Sequence, residues 1–174
     1  MIAREVRKWG VDFGNVLVQN LSKEQQVEIA RICAHENIVK NPDTLENFLL
    51  KNSQLVTDAL YGLKRLVEQN GARNVYIISR ASHEESYING ILFRLHGILQ
   101  YAGLFIDNIY ICKQRSDKVD ICEKLGILSF VDDRGKVLSY MCGKIPHLIW
   151  FAPTKKELDL WSANLGGRVV RVNS

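Results

Sequence analysis

Long hydrophobic runs, proline- or glycine-rich linkers and a charge of one dominant sign are all missing from this chain. No apolar stretch approaches the roughly 20 residues that cross a bilayer, and the first residues, with Arg4, Glu5, Arg7 and Lys8, lack the apolar block of a secretory signal. These absences predict a soluble, cytoplasmic protein with no membrane partner. The four cysteines, Cys33, Cys112, Cys122 and Cys142, have no metal-ligand pair spacing and lie among apolar neighbours. They read as small core thiols rather than a zinc site or a disulfide framework. There is neither a P-loop lysine motif nor a Gly-x-Gly-x-x-Gly, which argues against nucleotide binding of those two kinds. The net charge of +4 is mild and its basic residues are scattered, so charge alone gives only weak support for a nucleic-acid partner.

What is present is material for one domain. At 174 residues, 47% hydrophobic and 24% charged, the chain is long enough to bury a substantial core. β-Branched and aromatic runs at Trp9 to Phe13, Asn74 to Ser79, Asn108 to Cys112, Ile127 to Asp132, His147 to Phe151 and Arg168 to Val172 read as strands. Between them lie segments of helical period. Val56, Ala59, Leu60, Leu63, Leu66 and Val67 share one face, and Asn70-Gly71 predicts a left-handed cap at the end of that helix. Tyr87, Ile88, Ile91, Leu92 and Leu95 make a second stripe. Ser22 with Gln25, Ser82 with Glu85 and Thr154 with Glu157 have capping-box spacing.

Nearly all-apolar strands alternating with helices imply a mostly parallel sheet covered on both faces, a doubly wound α/β fold of Rossmann-like type. The stretch Leu21 to Asn52 departs from this alternation. It holds two helical patterns, around Val27 to Ala34 and Leu45 to Leu50, separated by Pro42 with no strand between them. Inserted after the first strand, residues 21–52 would stand over the C-terminal edge of the sheet, where ligands bind in this architecture, as a small helical cap.

The chemistry is carried by polar groups at predicted strand ends: Asp12, Ser79 and the doublet Asp132-Asp133. A carboxylate at a buried strand end is costly to desolvate unless a cation or donor meets it. A parallel sheet gathers these ends at one edge, and convergent carboxylates suit a divalent metal. The plainer alternative is that each merely caps the following helix.

Asp12-Phe13-Gly14-Asn15-Val16-Leu17, then Val75 to Ser79, then a lysine near a later helix start, then Phe130-Val131-Asp132-Asp133, resemble in order the motifs of the haloacid dehalogenase (HAD) superfamily of phosphatases and phosphotransferases. The resemblance implies a HAD-like core throughout 1–174 and a Mg²⁺-dependent phosphoester hydrolase or phosphotransferase. Asp12 would be the nucleophile forming an aspartyl-phosphate. Mg²⁺ would be held by Asp12, the carbonyl of Gly14, and Asp132 or Asp133. Ser79 would bind the phosphoryl group, with Arg80, Asn15 and Arg134 as further substrate-binding residues. Arg134 is equally suited to pairing with a carboxylate. For the lysine two positions compete, Lys113 directly after a strand and Lys118 in the opening turn of a helix, the latter favoured by Ser116-Asp117-Lys118.

One position departs from the resemblance. Most phosphatases of the superfamily carry a second Asp two residues after the nucleophile as general acid and base, and here Gly14 stands in its place. His83, Glu84, Glu85 and His35 are within reach by sequence as substitutes. Two other functions stay open at this point: a binding or regulatory protein that keeps the fold without turnover, and another nucleotide-binding or response-regulator-like α/β domain. Neither substrate identity, beyond a phosphorylated compound, nor oligomeric state has a motif.

Overall fold

In the computed structural model the structure describes residues 6–35 and 42–173, the side chains of His35 and Pro42 excepted. The six apolar runs form β1 (Trp9–Val11), β2 (Val75–Arg80), β3 (Ile109–Cys112), β4 (Ser129–Asp132), β5 (His147–Phe151) and β6 (Val169–Val172). They make one sheet in the order β3-β2-β1-β4-β5-β6. Every neighbouring pair is parallel, with Val11 beside Ile77 on one side and beside Val131 on the other. The chain winds outward from β1 to β3 and then returns to lay β4 against the far side of β1. The order therefore reverses between β1 and β4, and a crevice opens there at the C-terminal ends of the strands.

Successive strand residues serve opposite faces, as the pleat requires. On one face Val11, Val75, Ile77 and Phe151 pack with α3 (Thr57–Asn70), α4 (His83–Leu95) and α5 (Ile98–Ala102). On the other, Ile78, Phe130, Leu148 and Trp150 pack with α6 (Asp117–Leu125), α7 (Gly135–Met141) and α8 (Lys155–Leu165). The α/β sandwich expected from the sequence is thus present. Gly10 has a specific packing reason: a Cβ there would fall 2.4 Å from the Phe130 ring, so only hydrogen leaves room for it.

Between β1 and α3 come α1 (Lys23–His35) and α2 (Pro42–Asn52), at the two helical patterns of the 21–52 stretch. Ile29 and Ile32 of α1 and Leu45 and Leu49 of α2 are buried in the first cluster, so their apolar stripes join the main core. Past α2, Ser53 Oγ donates to the Leu49 carbonyl at 2.6 Å and meets Nε2 of His96 at 2.6 Å, tying this segment to the end of α4. Burial holds the His96 imidazole below its ordinary pKa.

The local signals are realised unevenly. Ser82 and Glu85 form a complete capping box, and Ser22 and Gln25 exchange the same two bonds. At α8 the box is half made: Thr154 Oγ1 accepts from the Glu157 N–H at 3.2 Å, but the Glu157 carboxylate turns away to accept from the Gly135 N–H at 2.8 Å. The tertiary donor at the start of α7 wins over the local one. The left-handed cap expected at Gly71 is also corrected. Its φ of 82° is positive, but its ψ of 147° is extended, because the chain must turn at once through 72–74 into β2. All four cysteines are free, Cys112 and Cys122 buried and the other two half-buried. No helix among the described residues is long and apolar enough to cross a membrane.

Candidate active site

Adjacency of β1 and β4 in the sheet sets the geometry. The Asp12 N–H donates to the Val131 carbonyl at 2.9 Å, which extends the β1–β4 ladder by one bond and brings Asp12 level with the acidic doublet. One carboxylate oxygen from each of Asp12, Asp132 and Asp133 lies within 4.8 Å of the others. The chain after Asp12 folds back at once. Leu17 and Val18 donate to the Phe13 carbonyl and Asn15 donates to that of Val18, with Asn15 held in the left-handed region at φ 58°. Asparagine tolerates that conformation better than most residues do.

One buried cation serves this cluster. Lys118, in the first turn of α6, places Nζ 2.7 Å from Asp132 Oδ2 and 2.9 Å from Asp12 Oδ1. The first contact is a hydrogen bond; the second is an ion pair outside hydrogen-bond geometry, so Asp12 Oδ1 is a buried oxygen without a hydrogen-bond partner. Burial opposes the charge on Lys118, yet Asp12 and then Asp132 outweigh it and hold the ammonium above its ordinary pKa. Burial pushes the Asp132 carboxyl up to about 7, with Asp12 and Asp133 adding to the effect against Lys118. The two directions have one cause: Asp12 and Asp132 hold the ammonium charged, while burial beside neighbouring carboxylates raises the Asp132 carboxyl.

Asp132 and Asp133 differ in what they face. Asp132 is fully buried and uses both oxygens internally, Oδ2 on Lys118 and Oδ1 accepting from the Arg134 N–H at 2.8 Å. Asp133 lines an open cavity of about 1020 Å³ over the sheet edge, together with Asp12, Gly14, Ser79, Arg80, Lys118 and Arg134. Its Oδ2 accepts from Asn15 Nδ2 at 2.9 Å and pairs with Arg134 Nε at 3.3 Å. Burial raises the Asp133 carboxyl above its ordinary value, with Asn15 pulling the other way.

The structure brings Asp12, Ser79, Lys118 and the doublet to one place and leaves Lys113 out: Lys113 is exposed beyond β3 and touches none of the carboxylates. The physical reason is phase. Lys113 follows an edge strand into solvent, whereas Lys118 sits on the face of α6 that carries Val119 and Cys122 into the core. Asn15 has both ends of its amide committed, Nδ2 to Asp133 and Oδ1 to the Asn20 N–H at 2.9 Å. Arg80 pairs with Glu85 at 2.7 Å, and Arg134 reaches Glu157 at 3.9 Å as well as Asp133. Both arginines still line the cavity.

Of the proposed stand-ins for the missing acid, Glu84 and Glu85 line the cavity but are engaged, Glu84 by the Ser82 hydroxyl at 2.8 Å and Glu85 by its capping box. Its own backbone N–H, and then Ser82, hold the Glu84 carboxyl below its usual range. His83 is exposed at the cavity wall, and the side chain of His35 lies outside the described residues. Three residues escaped the sequence reading. Arg115 lines the cavity from the loop after β3, Glu157 reaches the site from α8, and Asn20 lies against Gly14. None carries a local signal, since only tertiary folding brings them near.

The fold and this edge define the class: a Rossmann-like α/β domain with an aspartate cluster at the carboxyl end of its sheet. No family model and no curated protein matches the chain. Among solved structures it is similar to a phosphoserine phosphatase in apo form, at 17% identity and a TM-score of 0.43, over 95% of this chain and 94% of that one. It is also similar to a de novo designed Rossmann 3x3 fold protein, at 14% identity and a TM-score of 0.40, over 65% of this chain and 75% of the other. These likenesses concern general architecture; the chemistry has to be read from the site.

Proposed function

We propose that the protein is a phosphoester hydrolase or phosphotransferase of HAD type that acts through an aspartyl-phosphate on Asp12. The supporting observation is a cluster of three carboxylates, two of them paired with one buried lysine, at a strand-end cavity that Ser79 also lines. A caps-only reading leaves the buried Lys118 unexplained, because a capping carboxylate needs no cation from another helix.

The donor set fits a magnesium ion. All three side chains offer hard oxygen ligands within 4.8 Å of one another, and among the described residues no hydrogen bond engages the Gly14 carbonyl. Asp12, Gly14 and Asp133 would hold the ion, with Asp132 behind them. When bound it would offset the repulsion between an anionic nucleophile and an anionic phosphate. The chain's own residues supply the rest. Lys118 fixes the Asp12 carboxylate, Ser79 donates its hydroxyl to a phosphoryl oxygen, and Arg80 and Arg134 set positive charge around the cavity mouth. Helices α1 and α2 act as a small cap beside it.

The test is phosphate release from a broad phosphoester panel with Mg²⁺, repeated with Asp12→Asn, and trapping of Asp12 by beryllium fluoride. Release that survives Asp12→Asn refutes the nucleophile. One observation favours a second reading, a phosphate- or metal-binding protein without turnover: no titratable group stands at position 14. Beryllium fluoride capture without any release would support it.

A further inference from the structure

The place of the missing acid is filled. A Cβ built on Gly14 would meet Asn20 Oδ1 at 2.7 Å, with the rest of that carboxamide at 3.6 and 3.8 Å, so the Asn20 amide occupies the space into which a side chain at 14 would project. Its backbone N–H donates to Asn15 Oδ1 at 2.9 Å, which holds the Asn20 backbone beside Gly14, while its side chain is exposed. An amide donates hydrogen bonds but transfers no proton near neutral pH. Around it, Glu84 and Glu85 are tied to Ser82 and Arg80, and Asp133 to Asn15 and Arg134.

The cavity beyond this point is partly apolar. Leu21, Ile29 and Cys33 from the α1 side and Ile88 and Leu92 of α4 all line it. Without an acid at position 14 the site lacks the group placed to protonate an alkoxide as it leaves, whereas a phenolate, whose conjugate acid has a pKa near 10, leaves far more readily. The walls offer an aromatic ring an apolar surface.

Resting on the reading of Asp12 as nucleophile, we propose that this site is selective for phosphate monoesters of phenols over those of aliphatic alcohols. The Asp12 carboxylate bonds to phosphorus as the P–O bond to the ring oxygen breaks. The bonding pair leaves on the phenolate, which takes its proton from bulk water. A water molecule then attacks the phosphorus, the Asp12–phosphorus bond breaks to restore the carboxylate, and both water protons leave on the product as dihydrogen phosphate.

The experiment uses the full chain with Mg²⁺ and compares phenyl phosphate, ring-substituted phenyl phosphates and cyclohexyl phosphate, a saturated ester of the same size. The expected result is kcat/KM at least about 10²-fold higher for phenyl than for cyclohexyl phosphate, the scale of a lost general acid, with rates falling as the pKa of the phenol rises. A flat series that still depends on Asp12 overturns the proposal and leaves the nucleophile standing. Release from no ester, or release unchanged by Asp12→Asn, overturns the underlying reading and this one with it. His83→Gln should leave the phenyl-to-cyclohexyl ratio unchanged; a ratio widened tenfold or more identifies His83 as the proton donor and overturns the proposal. The double variant Gly14→Asp with Asn20→Gly should narrow the ratio by restoring an acid, and the substituent series on the unaltered protein decides the matter should that variant not fold.

Discussion

Lys118 Nζ and Asp132 Oδ2 meet at 2.7 Å with 1% and 0% of their side chains exposed, so this ion pair is sealed from solvent on both sides. A pair this deep contributes little net stability relative to an apolar replacement, because desolvation offsets most of its attraction. Its removal by halves is another matter. Asp12 and Asp132 both depend on the one ammonium, and Phe130, 5.6 Å from it, offers only the face of a ring in addition.

Lys118→Met should therefore destabilise the metal-free protein by about 3–5 kcal/mol, the cost of leaving a buried charge unpaired. Urea unfolding measures this. Lys118→Arg should not restore the loss, since a planar fork cannot take the place of a compact ammonium between two carboxylates. A loss below about 1 kcal/mol, the range of exposed ion pairs, would contradict the burial described here.

The pH dependence of stability has a definite sign. Burial raises the Asp132 carboxyl above its ordinary value, so as pH rises the folded chain gives up this proton later than the unfolded chain does. Stability from this group is fully present below about pH 4 and is lost as pH rises through about 7. Metal-free protein should accordingly lose stability over that window, and Asp132→Asn should flatten the slope. Equilibrium denaturation at several pH values in chelator checks it; a slope of opposite sign in the unaltered protein, unchanged by Asp132→Asn, would refute it.

Gly10 gives a prediction about the core alone. With a Cβ 2.4 Å from the Phe130 ring, Gly10→Ala must displace that ring or bend β1, at about 1–3 kcal/mol. Phe130→Leu in the same chain should recover part of the loss, and a double-mutant cycle on unfolding free energies reads the coupling. Additive effects would mean that the two positions do not touch.

The six strands were legible because their apolar runs are continuous and bounded by turn residues; β5 runs from His147 to Phe151, as the sequence suggests. Sheet order was not legible. Nothing in β1 specifies β4 rather than β3 as its second neighbour, yet that choice brings Asp12 to Asp132. Lys118 was separable from Lys113 by one local fact, its position on the apolar face of a helix, and only the packing of α6 against the sheet brings it to Asp12 and Asp132. Glu157 misled for the opposite reason. Its spacing from Thr154 is that of a capping box, but its carboxylate answers to Gly135, which is 22 residues away in sequence. Asn20 was invisible, because filling the space beside Gly14 depends on the turn that Asn15 pins.

Asp133 separates structural charge from ligand charge. Unlike Asp132 it faces the cavity, and its one side-chain hydrogen bond is accepted from Asn15 Nδ2, which the oxygen of an asparagine at 133 would accept equally well. Asp133→Asn thus removes one of three crowded carboxylates at the loss only of a pair with Arg134, which is 40% exposed and keeps Glu157, and the metal-free protein should keep or gain thermal stability. With Mg²⁺ the order should reverse. An ion that binds only the folded chain adds about 2.7 kcal/mol at a hundred times its Kd, and the variant, lacking a ligand, should show little of that rise. Thermal unfolding with and without Mg²⁺ measures both arms, with Asp132→Asn as the contrast, since it removes the nearer of the two carboxylates that hold Lys118 and should lower metal-free stability. Equal Mg²⁺ shifts in the unaltered protein and in Asp133→Asn would place the ion elsewhere.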